Sequence, residues 1–188
     1  MSMAKDDDTH GFVVSASNDS GRFLAFTNLL KQHDIAFDVI TKDTSVNDVK
    51  VKANNAIFVP AEQPQYRLVK SIFSTQTSFE NNTFYDVSTW NLALAFNLDY
   101  APLDRGDARS LKLSDSTALA QPTLNDIHPD AYAYAFSWQQ YYAPAMLQTL
   151  LEAGVKVRSS EEAFSAIKYD GKNVELQPGS IIVPKGLG

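Results

Sequence analysis

Three histidines and no cysteine limit the catalytic chemistry open to this 188-residue chain. A hydrolytic zinc site of the His-x-x-Glu type needs a carboxylate one helical turn beyond a histidine, with a second, distant histidine, because zinc takes a lone pair from each ligand in fixed geometry. His10, His33 and His128 are followed three positions on by Val13, Ala36 and Ala131. They read as surface or loop histidines, and no metal ligand is assigned. Without cysteine, thiol nucleophiles, thiolate ligands and disulfides are excluded. The remaining nucleophile candidate is Ser88, placed where a strand over Thr83–Val87 would end. A nucleophile elbow of the Gly-x-Ser-x-Gly type uses its glycines to turn sharply, but Asp86-Val87-Ser88-Thr89-Trp90 has larger residues at both places. As the N-cap of a following helix, Ser88 needs no further role.

Binding chemistry has two candidate locations. Glu62 and Gln63 follow a short apolar run, and with Tyr85, Asp86 and Trp90 they are expected to line a shallow polar pocket at the carboxyl end of the sheet. The alternative is that they pin loops and cap helices. Ser17-Asn18-Asp19-Ser20-Gly21 would present backbone N–H groups at a helix start, but it lacks the Gly-x-Gly-x-x-Gly spacing and Asp19 would repel a phosphate. Arg105-Gly106-Asp107 matches a cell-adhesion tripeptide, although three residues in a polar loop match by chance and Gly106 reads as a turn. A net charge of −6 argues against nucleic acid as a partner, because phosphate binding rests on clustered cations. No apolar run approaches the roughly 20 residues of a membrane span, so none is expected.

The elements that would carry these residues follow from apolar periodicity. Gly11–Ala16, Ile35–Ile40 and Ala56–Val59 read as strands. Between them, Phe23, Phe26 and Leu30 give Arg22–Gln32 one apolar helical face, and Tyr66, Val69 and Phe73 do the same for Gln65–Ser74, with Pro64 suited to a first turn. Asp43–Lys52 reads as a polar loop. Thr83–Val87 is a further strand candidate and Trp90–Leu98 a helix. Residues 99–130, with prolines at 102, 122 and 129, read as an irregular excursion with a weak strand at Ser110–Leu113. Ala131–Trp138 is an aromatic strand, Pro144–Ala153 a helix with a Met146, Leu147, Leu150, Leu151 face closed by Gly154, and Val155–Arg158 a strand. Asp170-Gly171 signals a hairpin and Ser180–Val183 a last strand. About half of the cluster Tyr132, Tyr134, Phe136, Trp138, Tyr141 and Tyr142 is expected in the core, the rest on a contact surface.

Alternating strands and helices, with short apolar runs of the kind buried on both faces, predict an α/β domain with a mostly parallel, helix-covered sheet and a small antiparallel C-terminal hairpin. The expected organisation is a non-native start over residues 1–10 and a single domain over 11–188. Met1-Ser2-Met3, and an end at Gly188 straight after a strand and a short Pro-Lys-Gly-Leu segment, suggest a native chain that extends at both ends.

Three stretches carry a resemblance: Val59-Pro60-Ala61-Glu62-Gln63-Pro64-Gln65-Tyr66-Arg67, Phe84-Tyr85-Asp86-Val87-Ser88-Thr89-Trp90-Asn91-Leu92-Ala93-Leu94-Ala95-Phe96, and Leu150-Leu151-Glu152-Ala153-Gly154-Val155-Lys156-Val157. Together they resemble the region downstream of the peptidase domain in bacterial zinc carboxypeptidase-like proteins of the carboxypeptidase A type. The resemblance covers nearly all of Gly11 to Val183. It implies a three-layer, flavodoxin-like, class I glutamine amidotransferase-like domain whose catalytic cysteine is missing here. It further implies a non-catalytic accessory role, structural or substrate-positioning, with the peptidase domain of the same parent chain as partner. Zinc is then expected only in that peptidase domain, and the compartment would be periplasmic or extracellular. The alternatives are a peptide- or glycan-binding module using the Glu62, Asp86, Trp90 end of the sheet, and a serine hydrolase using Ser88.

Overall fold

The computed structural model describes residues 8–16, 19–75, 91–119, 128–168 and 170–186. The chain divides into two compact units, Met1–Pro122 and Thr123–Gly188. Among the described residues no helix is long and apolar enough to cross a membrane.

The first unit is built on β1 (Gly11–Ser15), α1 (Ser20–Gln32), β2 (Asp38–Ile40), β3 (Thr44–Val46), β4 (Val49–Val51), β5 (Ala56–Pro60), α2 (Tyr66–Ile72), α3 (Leu92–Ala95), β6 (Asp99–Leu103), α4 (Arg105–Ser110) and β7 (Leu113–Ser114). Five strands form one sheet in the order β6-β1-β5-β2-β7, and every neighbouring pair is antiparallel. The mostly parallel, flavodoxin-like sheet expected above is therefore overturned. Both β1 and β2 run antiparallel to β5, which lies between them. The β1-α1-β2 segment does join two strands of like direction, as its strand-helix-strand pattern suggests, but a strand of opposite direction separates them. Continuous apolar runs report burial on both faces and do not report the direction of the neighbouring strand.

Both faces are indeed covered, by different materials. Phe12, Val14, Val39, Ile57 and Val59 point to one side and pack with Phe23, Phe26 and Leu30 of α1 and Val69 and Ile72 of α2. Val13, Ile40, Ala56 and Phe58 alternate onto the other side, as the two-residue period of strands requires. There they meet Val46, Val49 and Val51 of the β3–β4 hairpin, with Ala101, Leu103 and Leu111. That hairpin occupies most of the stretch read as a polar loop. Its turn residues Asn47 and Asp48 both have positive φ (46° and 67°), as a two-residue primed turn demands. Ser15 Oγ donates to Lys50 O at 2.9 Å, tying the hairpin to β1.

Three further expectations change. Residues 99–103, assigned to the irregular excursion because of Pro102, are strand β6. β6 is an edge strand, where a missing N–H is tolerated. Arg105-Gly106-Asp107 lies in helix α4, capped by Asp104, whose Oδ1 accepts from Asp107 N at 2.8 Å, so Gly106 makes no turn. The helix expected over Trp90–Leu98 is shorter, Leu92–Ala95, and closes at Asn97 with φ 49°.

The second unit holds β8 (Ala133–Phe136), α5 (Ala143–Glu152), β9 (Arg158–Ser159), β10 (Phe164–Ile167), β11 (Asn173–Leu176) and β12 (Ile181–Pro184). Its strands pair antiparallel in the order β8-β12-β9, with β10–β11 as a separate hairpin around Gly171 at φ 80°. Val155–Val157, expected as strand, has no regular structure, and the ladder begins only at Arg158. Of the aromatic cluster, Tyr134 and Phe136 are half-buried, whereas Tyr132, Trp138, Tyr141 and Tyr142 are exposed.

One carboxylate of the sheet is held away from its ordinary behaviour. Burial at the start of β2, and then the neighbouring charge of Asp115, raise the pKa of Asp38. Asp115 shifts the opposite way, lowered by hydrogen bonds from the Thr117 hydroxyl and backbone N–H. A raised carboxylate pKa means the fold disfavours the ionised form, so Asp38 weakens the protein above that pKa and not below the unfolded value near ~4. Asp38→Asn should therefore raise the thermal midpoint at pH 7, with the difference vanishing as the pH falls through the carboxylate range. Melting curves of both proteins across pH 3–7 check this, and a pH-independent difference would contradict it.

Candidate functional site

Of the five residues expected to form a pocket, Glu62 and Gln63 are described, and they do different things. Tyr85, Asp86 and Trp90, like Ser88, lie outside the described residues. Because the sheet is antiparallel, it has no common carboxyl end, and the argument that placed a pocket there loses its basis. Gln63 is 7% exposed and its amide is fully engaged. Oε1 accepts from Ala36 N at 2.8 Å, while Nε2 donates to Ala36 O at 3.1 Å and to Pro60 O at 2.7 Å. The side chain thus imitates a strand edge and fastens the turn after β5 to the segment entering β2. This is the loop-pinning role weighed above.

Asn91, in the second of the three resembling stretches, is used in the same way. It is 3% exposed, caps α3 by accepting from Leu94 N at 2.9 Å, and donates to Phe73 O at 3.2 Å and Tyr100 Oη at 2.7 Å.

Glu62, by contrast, is exposed and lines a cleft of about 520 Å³ together with His10, Phe58, Pro60, Arg105, Ala108 and Arg109. Three elements position it. His10 extends both ladders of β1 by one residue, its N–H donating to Leu103 O at 2.8 Å and its carbonyl accepting from Ala61 N at 2.9 Å. Its imidazole Nε2 accepts from Arg105 Nε at 3.1 Å, which sets the guanidinium at the start of α4. Arg109 follows one turn later on the same side of that helix. The floor is Phe58, Pro60 and Ala108. Phe58 can lie flat there because Gly11 has no side chain: a Cβ on Gly11 would come within 2.5 Å of the Phe58 ring.

His10 and Arg105 are 95 positions apart and each reads alone as an ordinary surface residue. The available signal was local, two arginines at i and i+4, and the reading of residues 99–130 as irregular hid it. A second cleft, about 620 Å³, is lined by Leu151, Gly154, Val155, Lys156, Val157 and Arg158. Its two cations, Lys156 and Arg158, lie two positions apart on the segment that leads into β9, and the other lining residues, Leu151 of α5 included, are apolar. Among the described residues there is no group of three or more His, Asp or Glu side chains able to hold a metal ion.

The fold and cleft define a mixed α/β chain with antiparallel sheets and a basic, apolar-floored surface site. Comparison with protein-family models, with curated proteins and with solved structures finds no match to this chain.

Proposed function

We propose that this chain is a non-catalytic accessory region of a zinc carboxypeptidase-like protein, with a structural or substrate-positioning role beside its peptidase domain. The sequence resemblance of the three stretches supports the family. The observation that carries the accessory role is the surface of the second unit. Helix α5 buries only Ala143, while Tyr141, Tyr142, Met146 and Leu151 are each close to half exposed and Tyr132 is 90% exposed. Exposed apolar side chains in such density mark contact surfaces in proteins that must stay in solution. The peptidase domain is the partner this reading assigns to them. The use of Gln63 and Asn91 as internal hydrogen-bond anchors also favours a scaffold over a catalyst.

The test is enzymatic and genetic. The purified chain with added zinc should release no C-terminal residues from peptides and should take up no fluorophosphonate. Zinc-dependent release, or labelling lost in Ser88→Ala, would overturn the non-catalytic reading. The native reading frame should carry an upstream His-x-x-Glu pair and a distant histidine, and a frame without them would overturn the assignment to this family.

A further inference from the structure

We infer that the cleft between β1, β5 and α4 binds an organic carboxylate with an apolar body, gripped by Arg105 and Arg109. The inference stands whether or not the chain adjoins a peptidase domain.

The first argument is the arrangement of charge. Arg105 and Arg109 sit at i and i+4 of a six-residue helix, a spacing at which like charges repel. Neither forms an ion pair with a carboxylate among the described residues. The side-chain hydrogen bond of Arg105 goes to His10, and the Arg109 side chain has neither hydrogen bond nor ion pair to another described residue. Two adjacent guanidiniums with no ion pair among the described residues, on a chain of net charge −6, form a local site for an anion, not part of a general basic surface.

The second argument is orientation. An imidazole that accepts at Nε2 in its neutral form carries its proton on Nδ1. By engaging Nε of Arg105, His10 fixes the plane of the guanidinium and leaves the two Nη groups to donate. A pair of parallel N–H donors matches the two oxygens of a carboxylate, and charge-assisted bonds of this geometry are the stronger kind.

The third argument selects the class of anion. A volume of about 520 Å³ exceeds what an inorganic ion fills and lies in the range of small-molecule sites. Phe58, Pro60 and Ala108 offer an apolar floor, and Gly11 keeps the Phe58 ring seated against β1. Glu62 on the same wall adds a negative charge, which penalises polyanions such as phosphate esters more than a monoanion. A monocarboxylate carrying an aromatic or aliphatic group satisfies all three constraints.

The experiment is a titration of the isotope-labelled chain followed by amide NMR shifts, using N-acetyl-phenylalanine, its uncharged amide, and inorganic phosphate as probes. The carboxylate should shift amides of residues 10–12, 58, 59, 61, 62 and 105–109 and saturate with a Kd on the order of 1 mM, modest because the site is open to water. Arg105→Gln and Arg109→Gln should each weaken binding roughly tenfold or more, the scale of a lost charge-assisted hydrogen bond. Both side chains are exposed, so unchanged melting curves will show that the variants are folded. The inference is overturned if the carboxylate shifts none of these amides, if the amide or phosphate binds as tightly as the carboxylate, or if the two variants retain full affinity.

Discussion

Gly11→Ala is expected to destabilise the protein by about 2–3 kcal/mol, the scale of overpacking in a filled core. Residue 11 opens the interior strand β1, paired on one side with Pro60 and on the other with Leu103. A Cβ there would lie 2.5 Å from Phe58 Cε2 and 2.5 Å from the Val59 carbonyl oxygen. A ring can swing away, but the carbonyl belongs to a strand paired along its whole length with β1 and cannot. Alanine would also gain the usual strand advantage over glycine, roughly 0.5–1 kcal/mol, which the contact with the carbonyl outweighs. The thermal midpoint should fall on the order of 5–10 °C. Gly11→Ala combined with Phe58→Leu relieves only the ring contact, so it should recover little of the loss. A wild-type midpoint in the single variant would show that the sheet does not close as tightly as described.

Gln63→Ala is expected to cost about 2–3 kcal/mol, because it removes three partly buried hydrogen bonds and leaves three main-chain groups without their partner. The more diagnostic change is Gln63→Glu, which keeps the volume and the acceptor for Ala36 N but sets an oxygen against the carbonyls of Ala36 and Pro60. An ionised carboxylate there is desolvated and repelled, so its pKa must rise. Protonated, it can donate again to one of the two carbonyls. Its penalty should therefore be largest at pH 7 and shrink as the pH falls toward the unfolded glutamate value near ~4.3. Denaturant unfolding of wild type, Gln63→Ala and Gln63→Glu at several pH values tests this. A pH-independent gap between Gln63→Glu and wild type would show that the amide does not face those carbonyls.

Much of the local structure was legible. The strand over 11–15, the helix at Ser20–Gln32 and the strand at Ala56–Pro60 announce themselves by period and by burial of both faces. The hairpin at residues 44–51 did not. Val46, Val49 and Val51 are separated by charged and polar residues, and the turn Asn47-Asp48 lacks the glycine that usually marks a primed turn. Pro102 likewise concealed β6, since a proline argues against a strand until the strand is known to be at an edge. At the candidate site, Glu62 was noticed for its place after a strand, whereas its partners His10, Arg105 and Arg109 come from both ends of the first unit.

The sequence by itself determined the absence of a thiol, the absence of a His-x-x-Glu pair, and which side chains are apolar enough to be buried. These depend on composition and spacing along the chain. Tertiary structure decided strand direction, the hairpin that closes the second face, and the meeting of His10 with Arg105. Each of these is a pairing between distant segments, and the energy that selects it comes from hydrogen bonds and packing made only when those segments are brought together. The amide of Gln63 shows the difference most simply. Its chemistry was visible as that of a ligand-binding residue, and the backbone of Ala36, 27 positions away, commits it to the scaffold.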